Sequence, residues 1–137
     1  MLTFPDIVNT YFQVYIHFQL FHWQTNQYAS HMASDMALRD LSKKMDQMVE
    51  VWSQGVSVLQ RQQVSPPSLS SSSSLWSINA PSKITKQRLL QKCRAWKSQL
   101  RRLDQVRLPP DSQTELLNLR DELLEILDRT SYLLSLH

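Results

Sequence analysis

Residues 27 to 55 read QYASHMASDMALRDLSKKMDQMVEVWSQG, and this stretch decides the fold. Its apolar residues recur at steps of three and four, which is the period of one face of an α-helix. They are Leu38, Leu41, Met45, Met48 and Trp52. Gly55, the only glycine of the chain, stands where a residue in the left-handed conformation ends many helices. The stretch therefore predicts a helix from residue 27 to residue 54 that buries one face in a core.

Three further helices are predicted at residues 6 to 24, 83 to 106 and 111 to 135. In each of them apolar residues recur at helical spacing, and prolines at positions 5, 109 and 110 stand at the predicted ends. The candidate capping residues are Thr25 and Asn26 for the second helix, Ser82 for the third, and Asp111 or Ser112 for the fourth. Apolar residues cover most of the first helix, so either it is central in its own bundle or a second subunit covers its other face.

The connections between these helices predict the architecture. A short polar link at residues 24 to 27 indicates an antiparallel hairpin of the first two helices. Residues 64 to 82 are rich in serine and proline and form a long crossover or a linker, in which Leu75, Trp76 and Ile78 are able to pack as a short turn. A single glycine disfavours a fold with several β-hairpins. We therefore expect an all-α, ferritin-like four-helix bundle of one domain, residues 1 to 137, with the long crossover between helices 2 and 3.

Charge is segregated along the chain. Residues 83 to 107 hold nine basic residues against Asp104 alone, whereas residues 111 to 137 hold six acids. The basic third helix is either a nucleic-acid surface or a solvated face with salt bridges to the acidic fourth helix. Cys93 is the only cysteine, so an intrachain disulfide and a cysteine-built zinc site are excluded. Polar residues interrupt the most apolar stretch, at residues 7 to 23, so we expect no membrane span and a soluble protein inside the cell.

Four side chains of metal-ligand type share one face of the second helix, and these are His31, Asp35, Asp46 and Glu50. His31 and Asp35 are four residues apart, as are Asp46 and Glu50, so each pair is able to reach one ion. The two pairs lie about 22 Å apart along one helix, at a rise of about 1.5 Å per residue. An antiparallel copy of the helix across a two-fold axis would bring the pairs together. The alternative is that these residues are solvated surface side chains.

His22 ends the first helix where His31 begins the second, so the hairpin is able to direct both imidazoles to one spot. Imidazole and carboxylate ligands together suit iron, manganese or zinc better than calcium.

The order His22-Trp23, His31, Asp35, Asp46, Glu50 and Gly55 resembles the signature of Dps-type mini-ferritins, the starvation-induced DNA-binding proteins. The resemblance covers the first two helices, and the nine-residue interval from His22 to His31 is shorter than in that family. It implies an iron-binding ferroxidase in which His22, His31 and Asp35 of one chain and Asp46 and Glu50 of its neighbour form a di-metal site. It also implies a homo-oligomer, of which a dodecameric shell is one form. It further places Trp23 beside the metal site; the alternative is that Trp23 is only a packed aromatic residue.

The whole chain, including the C-terminal RTSYLL at residues 129 to 134, resembles a family of small ferritin-like proteins of large DNA viruses and tailed phages. That resemblance implies a cytoplasmic or virion-associated protein. It also keeps a second interpretation open, in which the chain is a structural helical subunit whose metal ligands are silent.

Overall fold

The computed structural model describes residues 1–64 and 83–136, and these two ranges are helical with no β-strand. The helices are α1 (Phe4–Gln24), α2 (Tyr28–Gln54), the single turn α3 (Val58–Arg61), α4 (Lys86–Arg101) and α5 (Gln113–Ser135). Short 3-10 turns follow α4 at Leu103–Gln105 and precede α5 at Pro110–Ser112. The all-α prediction is therefore confirmed for the described chain. The Ser/Pro-rich segment, with Leu75, Trp76, Ile78 and Ser82, lies outside the described residues except at its first residue, Val64.

The helix ends follow from local hydrogen bonding. Thr3 opens α1 with a capping box: its hydroxyl accepts from the Asp6 amide at 3.2 Å, and the Asp6 carboxylate accepts from the Thr3 amide at 2.9 Å. Helix α4 begins three residues later than predicted, because Thr85 is its cap and accepts from the Arg88 amide at 3.1 Å. Helix α2 has Gln27 at its N-cap and no side-chain cap.

Gly55 ends α2 for a reason that the sequence alone does not reveal. Its φ is −102°, so the predicted left-handed conformation is wrong. A Cβ atom at this position would lie 2.4 Å from the Cβ of Pro109 and 2.7 Å from its Cγ. Glycine is required here because the loop before α5 packs directly on the end of α2.

The four long helices share one core. Extensive contacts join α1 to α2 and α4, and α5 to the same two helices. Two ion pairs fix the antiparallel pairing of α2 and α5: Lys44 with Glu122 at 3.3 Å, and Asp40 with Arg129 at 3.2 Å. The indole of Trp96, fully buried on α4, donates to a carbonyl oxygen of α1 at 3.1 Å. This packing leaves the opposite face of α2 outside the core.

None of the helices in residues 1–64 and 83–136 is long and apolar enough to cross a membrane.

Candidate metal centre

The hairpin between α1 and α2 brings two histidines into contact. His22 lies in the last turn of α1 and His31 in the first turn of α2, and three residues, 25 to 27, connect the helices. The two imidazole rings stack with their centroids 4.0 Å apart and their planes inclined by 24°. Both side chains reach the surface, His22 partly and His31 more fully.

Backbone carbonyls hold both rings in place. The Nδ1 atom of His22 lies 3.1 Å from the carbonyl oxygen of His31, and the Nδ1 atom of His31 lies 3.2 Å from the carbonyl oxygen of His22. A carbonyl oxygen only accepts, so each Nδ1 carries the proton and donates. In a neutral ring, this tautomer leaves the free lone pair on Nε2. Metal-binding histidines are commonly fixed in this way, with one ring nitrogen bound to a carbonyl and the other available to the ion.

A buried serine of α2, Ser34, forms hydrogen bonds beside the histidine pair. The Ser34 hydroxyl lies 3.2 Å from Nδ1 of His22 and donates to the carbonyl oxygens of Ser30 at 2.8 Å and of His31 at 3.0 Å. Ser30 and Ser34 are fully buried. Sequence reasoning missed Ser34, although a serine on the core side of α2, one turn after His31, is the signal that marks it.

Asp35 lies on the same face of α2, one turn beyond His31. Its carboxylate accepts a hydrogen bond from the Arg39 guanidinium, four residues further along the helix. Arg39 holds the pKa of the Asp35 carboxyl below its usual value, and the charges of His22 and His31 act in the same direction. The carboxylate is therefore ionised and within the electrostatic reach of both histidines.

The three side chains are neighbours but do not form a closed site. Within the two described ranges, no group of three histidine, cysteine or acidic side chains is arranged to hold an ion. The near-parallel planes of His22 and His31 do not direct both Nε2 lone pairs to one point. The Arg39 guanidinium already forms an ion pair with the Asp35 carboxylate. Binding a single ion therefore requires the rings to turn apart and Arg39 to leave.

The remaining predicted residues, Asp46 and Glu50, lie on the far half of α2. Both are exposed, and neither forms an ion pair with the described part of the chain. They share with His31 and Asp35 the face of α2 that points away from the core. One subunit therefore keeps the two predicted half-sites apart.

Large apolar side chains border the histidine pair. Trp23 is 70% exposed, so it does not pack in the core of its own subunit. Tyr28 is 78% exposed, and Met32 and Met36 are also exposed on the outer face of α2. Such a cluster is unusual on the free surface of a monomer and is typical of an interaction site.

The basic residues of α4 are placed away from this site. Leu89, Cys93, Trp96 and Leu100 bury one face of the helix, and Arg88, Arg94 and Arg101 are exposed on the rest of its circumference. No carboxylate of the described chain forms an ion pair with these three arginines, whereas Lys97 pairs with Asp128 at 3.0 Å. The predicted salt bridges between α4 and the acidic α5 therefore occur at the edge of the exposed face of α4 and not across it.

Comparison with known proteins gives a family and no further relative. No curated protein and no solved structure matches the chain. One family model matches residues 22–134, from the last turn of α1 through nearly all of α5. Because this match includes His22, the hairpin and the whole outer face of α2, and extends over most of the sequence, the chain belongs to that family of unknown function, DUF5856.

Proposed function

We propose that this protein is a ferritin-like iron-binding subunit that oxidises ferrous iron between two copies of the chain. The histidine pair carries the proposal. His22 and His31 stack in a surface hairpin, and each Nδ1 donates to a backbone carbonyl, which in a neutral ring leaves the lone pair on Nε2. Two imidazoles and an ionised carboxylate are the residue types of the two-histidine, one-carboxylate donor set that is common in non-haem iron proteins, and they would share one ion once the rings turn apart and Arg39 leaves Asp35.

The helix connectivity supports a ferritin-like bundle. In such bundles, metal ligands project from the helices into sites that facing helices complete. Here the ligands lie on the outer face of α2, so the facing helix must come from a second copy. An antiparallel two-fold pairing of α2 places Asp46 and Glu50 of one copy against His31 and Asp35 of the other. Two equivalent sites then form in each dimer.

Ferrous iron is the substrate of the proposed reaction. Two ferrous ions together give two electrons to one peroxide, which takes up two protons from solvent and leaves as two waters, or to one dioxygen, which leaves as peroxide. The anionic ligands favour the ferric product because its charge is higher. His22 and His31 bind through Nε2, and the carbonyl bonds at Nδ1 hold the ring tautomers during turnover. Arg39 neutralises Asp35 while no cation is bound and must release it when iron enters.

The competing proposal is a structural helical subunit, virion-associated or cytoplasmic, with the same fold and no ferroxidase activity. An anaerobic ferrous titration of the purified protein, followed by addition of peroxide, separates the two. Saturable binding near two ferrous ions per site, and oxidation on adding peroxide, are expected for the ferroxidase. A protein that binds no more iron than its His22→Ala, His31→Ala variant would be the structural one.

A second candidate function rests on a separate observation. Arg88, Arg94 and Arg101 point outward from α4 and have no carboxylate partner in the described chain. They span about 20 Å of helix at a rise of about 1.5 Å per residue, which is enough to follow several phosphates of a nucleic acid. We propose this face as a nucleic-acid surface of the same subunit.

Salt dependence tests the nucleic-acid proposal. Retention of duplex DNA at low salt should weaken as salt is added, and changing the three arginines to glutamine should lower the slope of log K against log salt by roughly three per subunit. The control changes three exposed residues outside α4 that carry the same charge and form no ion pair with the described chain: Lys43, Arg61 and Arg107. Equal slopes for the two triple variants would reject the α4 surface.

A further inference from the structure

Two buried side-chain acceptors in residues 1–64 and 83–136 have no hydrogen-bond donor, and both line the same groove. They are Oδ1 of Asn9 on α1 and Oε1 of Gln99 on α4. The groove lies between these two helices, has a volume of about 480 Å³ and is also lined by Asp6, Thr10, Gln13 and Arg102. Buried acceptors without a donor are rare and costly in native proteins. Two of them in one groove indicate a ligand that brings N–H donors.

We infer that this groove binds a nucleobase with an exocyclic amino group, and that Arg102 and other cations along α4 hold the attached phosphates. The inference rests on the nucleic-acid proposal for α4 made above and names the part of the ligand that is recognised. The amino group of adenine or cytosine has two N–H donors, which is the number of unpaired acceptors in the groove. Thymine and uracil carry a carbonyl oxygen in its place. Side-chain amides are the groups that commonly bind such amino bases.

The packing of α1 against α4 places two more cations on the side of this groove. The indole of Trp96 donates to the carbonyl oxygen of Ile7 at 3.1 Å, which fixes the register of the two helices. Further along α1, burial lowers the pKa of His17, and the charges of Lys92 and Arg88 lower it further. Both cations therefore lie on the α1 side of α4.

These cations and the groove form one polar track along α4. At about 100° per residue, Arg88, Lys92, Gln99 and Arg102 fall within about 80° of the helix circumference, and they span about 21 Å of its length. None of the three cations forms an ion pair with the described chain. Asp6 is the only acidic residue of α1 and α4, and its carboxylate already accepts from the N-cap amide of α1. A cationic track beside a polar groove is typical of proteins that hold a single strand.

Two matched oligonucleotides test the recognition of the base. Oligo-dC and oligo-dU of eight nucleotides have the same charge and differ only at the C4 amino group and the adjacent ring nitrogen. At low salt the full chain should bind oligo-dC about tenfold more tightly than oligo-dU, measured by fluorescence anisotropy. Equal affinities would overturn the inference. Competition by free CMP identifies the source: displacement near the dissociation constant of oligo-dC indicates a free nucleotide, and a need for at least tenfold more CMP indicates a strand.

Replacing the two amides tests the groove itself. Asn9→Leu with Gln99→Met removes both acceptors at nearly constant volume, and Tm should not fall because neither oxygen has a donor in the free protein. Affinity for oligo-dC should fall about tenfold and that for oligo-dU should stay within about twofold, so binding of oligo-dU also reports that the variant is folded. Asn118→Leu with Gln47→Met makes the same chemical changes at exposed positions of α5 and α2 and should keep the preference. A preference for oligo-dC that persists in the first variant would overturn the inference.

The outcomes separate this groove from the arginine surface proposed above. Retention of duplex DNA that depends on Arg88, Arg94 and Arg101, without a difference between oligo-dC and oligo-dU, would support that surface and overturn the groove. A preference for oligo-dC that survives the change of these three arginines to glutamine would support the groove and reject only the surface. Arg102→Gln should lower the slope of log K against log salt for both oligonucleotides by roughly one and leave their ratio unchanged.

Discussion

Neutralising Asp46 and Glu50 tests the proposed site directly. Both side chains are exposed and form no ion pair with the described chain, so Asp46→Asn with Glu50→Gln changes charge at nearly constant volume. The free energy of unfolding should stay within about 0.5 kcal/mol of the wild type, as for surface substitutions without specific partners. Helix content by circular dichroism should also be unchanged.

The effect on iron should be much larger. Two unit charges 4 Å apart interact by about 4 kcal/mol at an effective dielectric of about 20, and ~1.4 kcal/mol is a tenfold change in affinity. Two carboxylates facing a divalent ion in a partly dehydrated interface exceed this figure before the cost of desolvation is subtracted. We therefore expect ferrous affinity to fall by at least about 100-fold, measured by anaerobic titration.

The control variant carries the same change in net charge elsewhere. Asp104→Asn with Glu125→Gln removes two exposed carboxylates that lie outside α2 and form no ion pair with the described chain. It should bind iron as the wild type does. If the double variant of α2 oxidises iron at the wild-type rate, or if both variants lose binding equally, the proposed assignment of Asp46 and Glu50 is refuted.

Three further outcomes follow from the described contacts. Gly55→Ala should lower stability by about 1–3 kcal/mol, because its Cβ would overlap Pro109, and thermal unfolding should show a lower Tm; an unchanged Tm would contradict the packing. His17 is buried, and burial lowers its pKa, an effect that nearby cations of α4 increase. The unfolded chain therefore binds a proton more readily at this residue, and the free energy of unfolding should fall as the pH drops below about 6.5. Urea unfolding of His17→Gln should lose this part of the pH dependence, and a profile identical to that of the wild type would refute it. Arg39→Gln should raise ferrous affinity, because Asp35 loses its competing partner; weaker binding would show instead that Arg39 assists the site.

The helices themselves were predictable because their signals are local. The three-and-four spacing of Leu38, Leu41, Met45, Met48 and Trp52 places all five on the buried side of α2, and all five are buried. The end of α2 was also predicted correctly, but for the wrong reason. Glycine is needed at position 55 because of the close approach of Pro109, which is distant in sequence. A local sequence pattern does not predict a contact between residues so far apart.

The histidine pair was only partly predictable. Hairpin geometry indicated that His22 and His31 approach each other, and they do. The exchanged carbonyl bonds and the support from Ser34 depend on the angle at which α1 and α2 meet, which residue types do not specify. The same limit applies to Arg39. Its pairing with Asp35 follows from helix spacing, but its competition with a metal becomes evident only when Arg39 and Asp35 are seen beside the two histidines.

Because the proposed ligands divide between two copies, metal affinity and dimerisation must be linked. Suppose that His31 and Asp35 of one copy bind the same ion as Asp46 and Glu50 of the other. Ion binding then raises the dimer association constant by the same factor by which dimerisation raises the affinity for the ion. Apparent iron affinity should then rise with protein concentration below the dimer dissociation constant and become constant above it. A site contained within one subunit would show no such dependence. Concentration dependence therefore distinguishes a shared site from a local one without altering any residue.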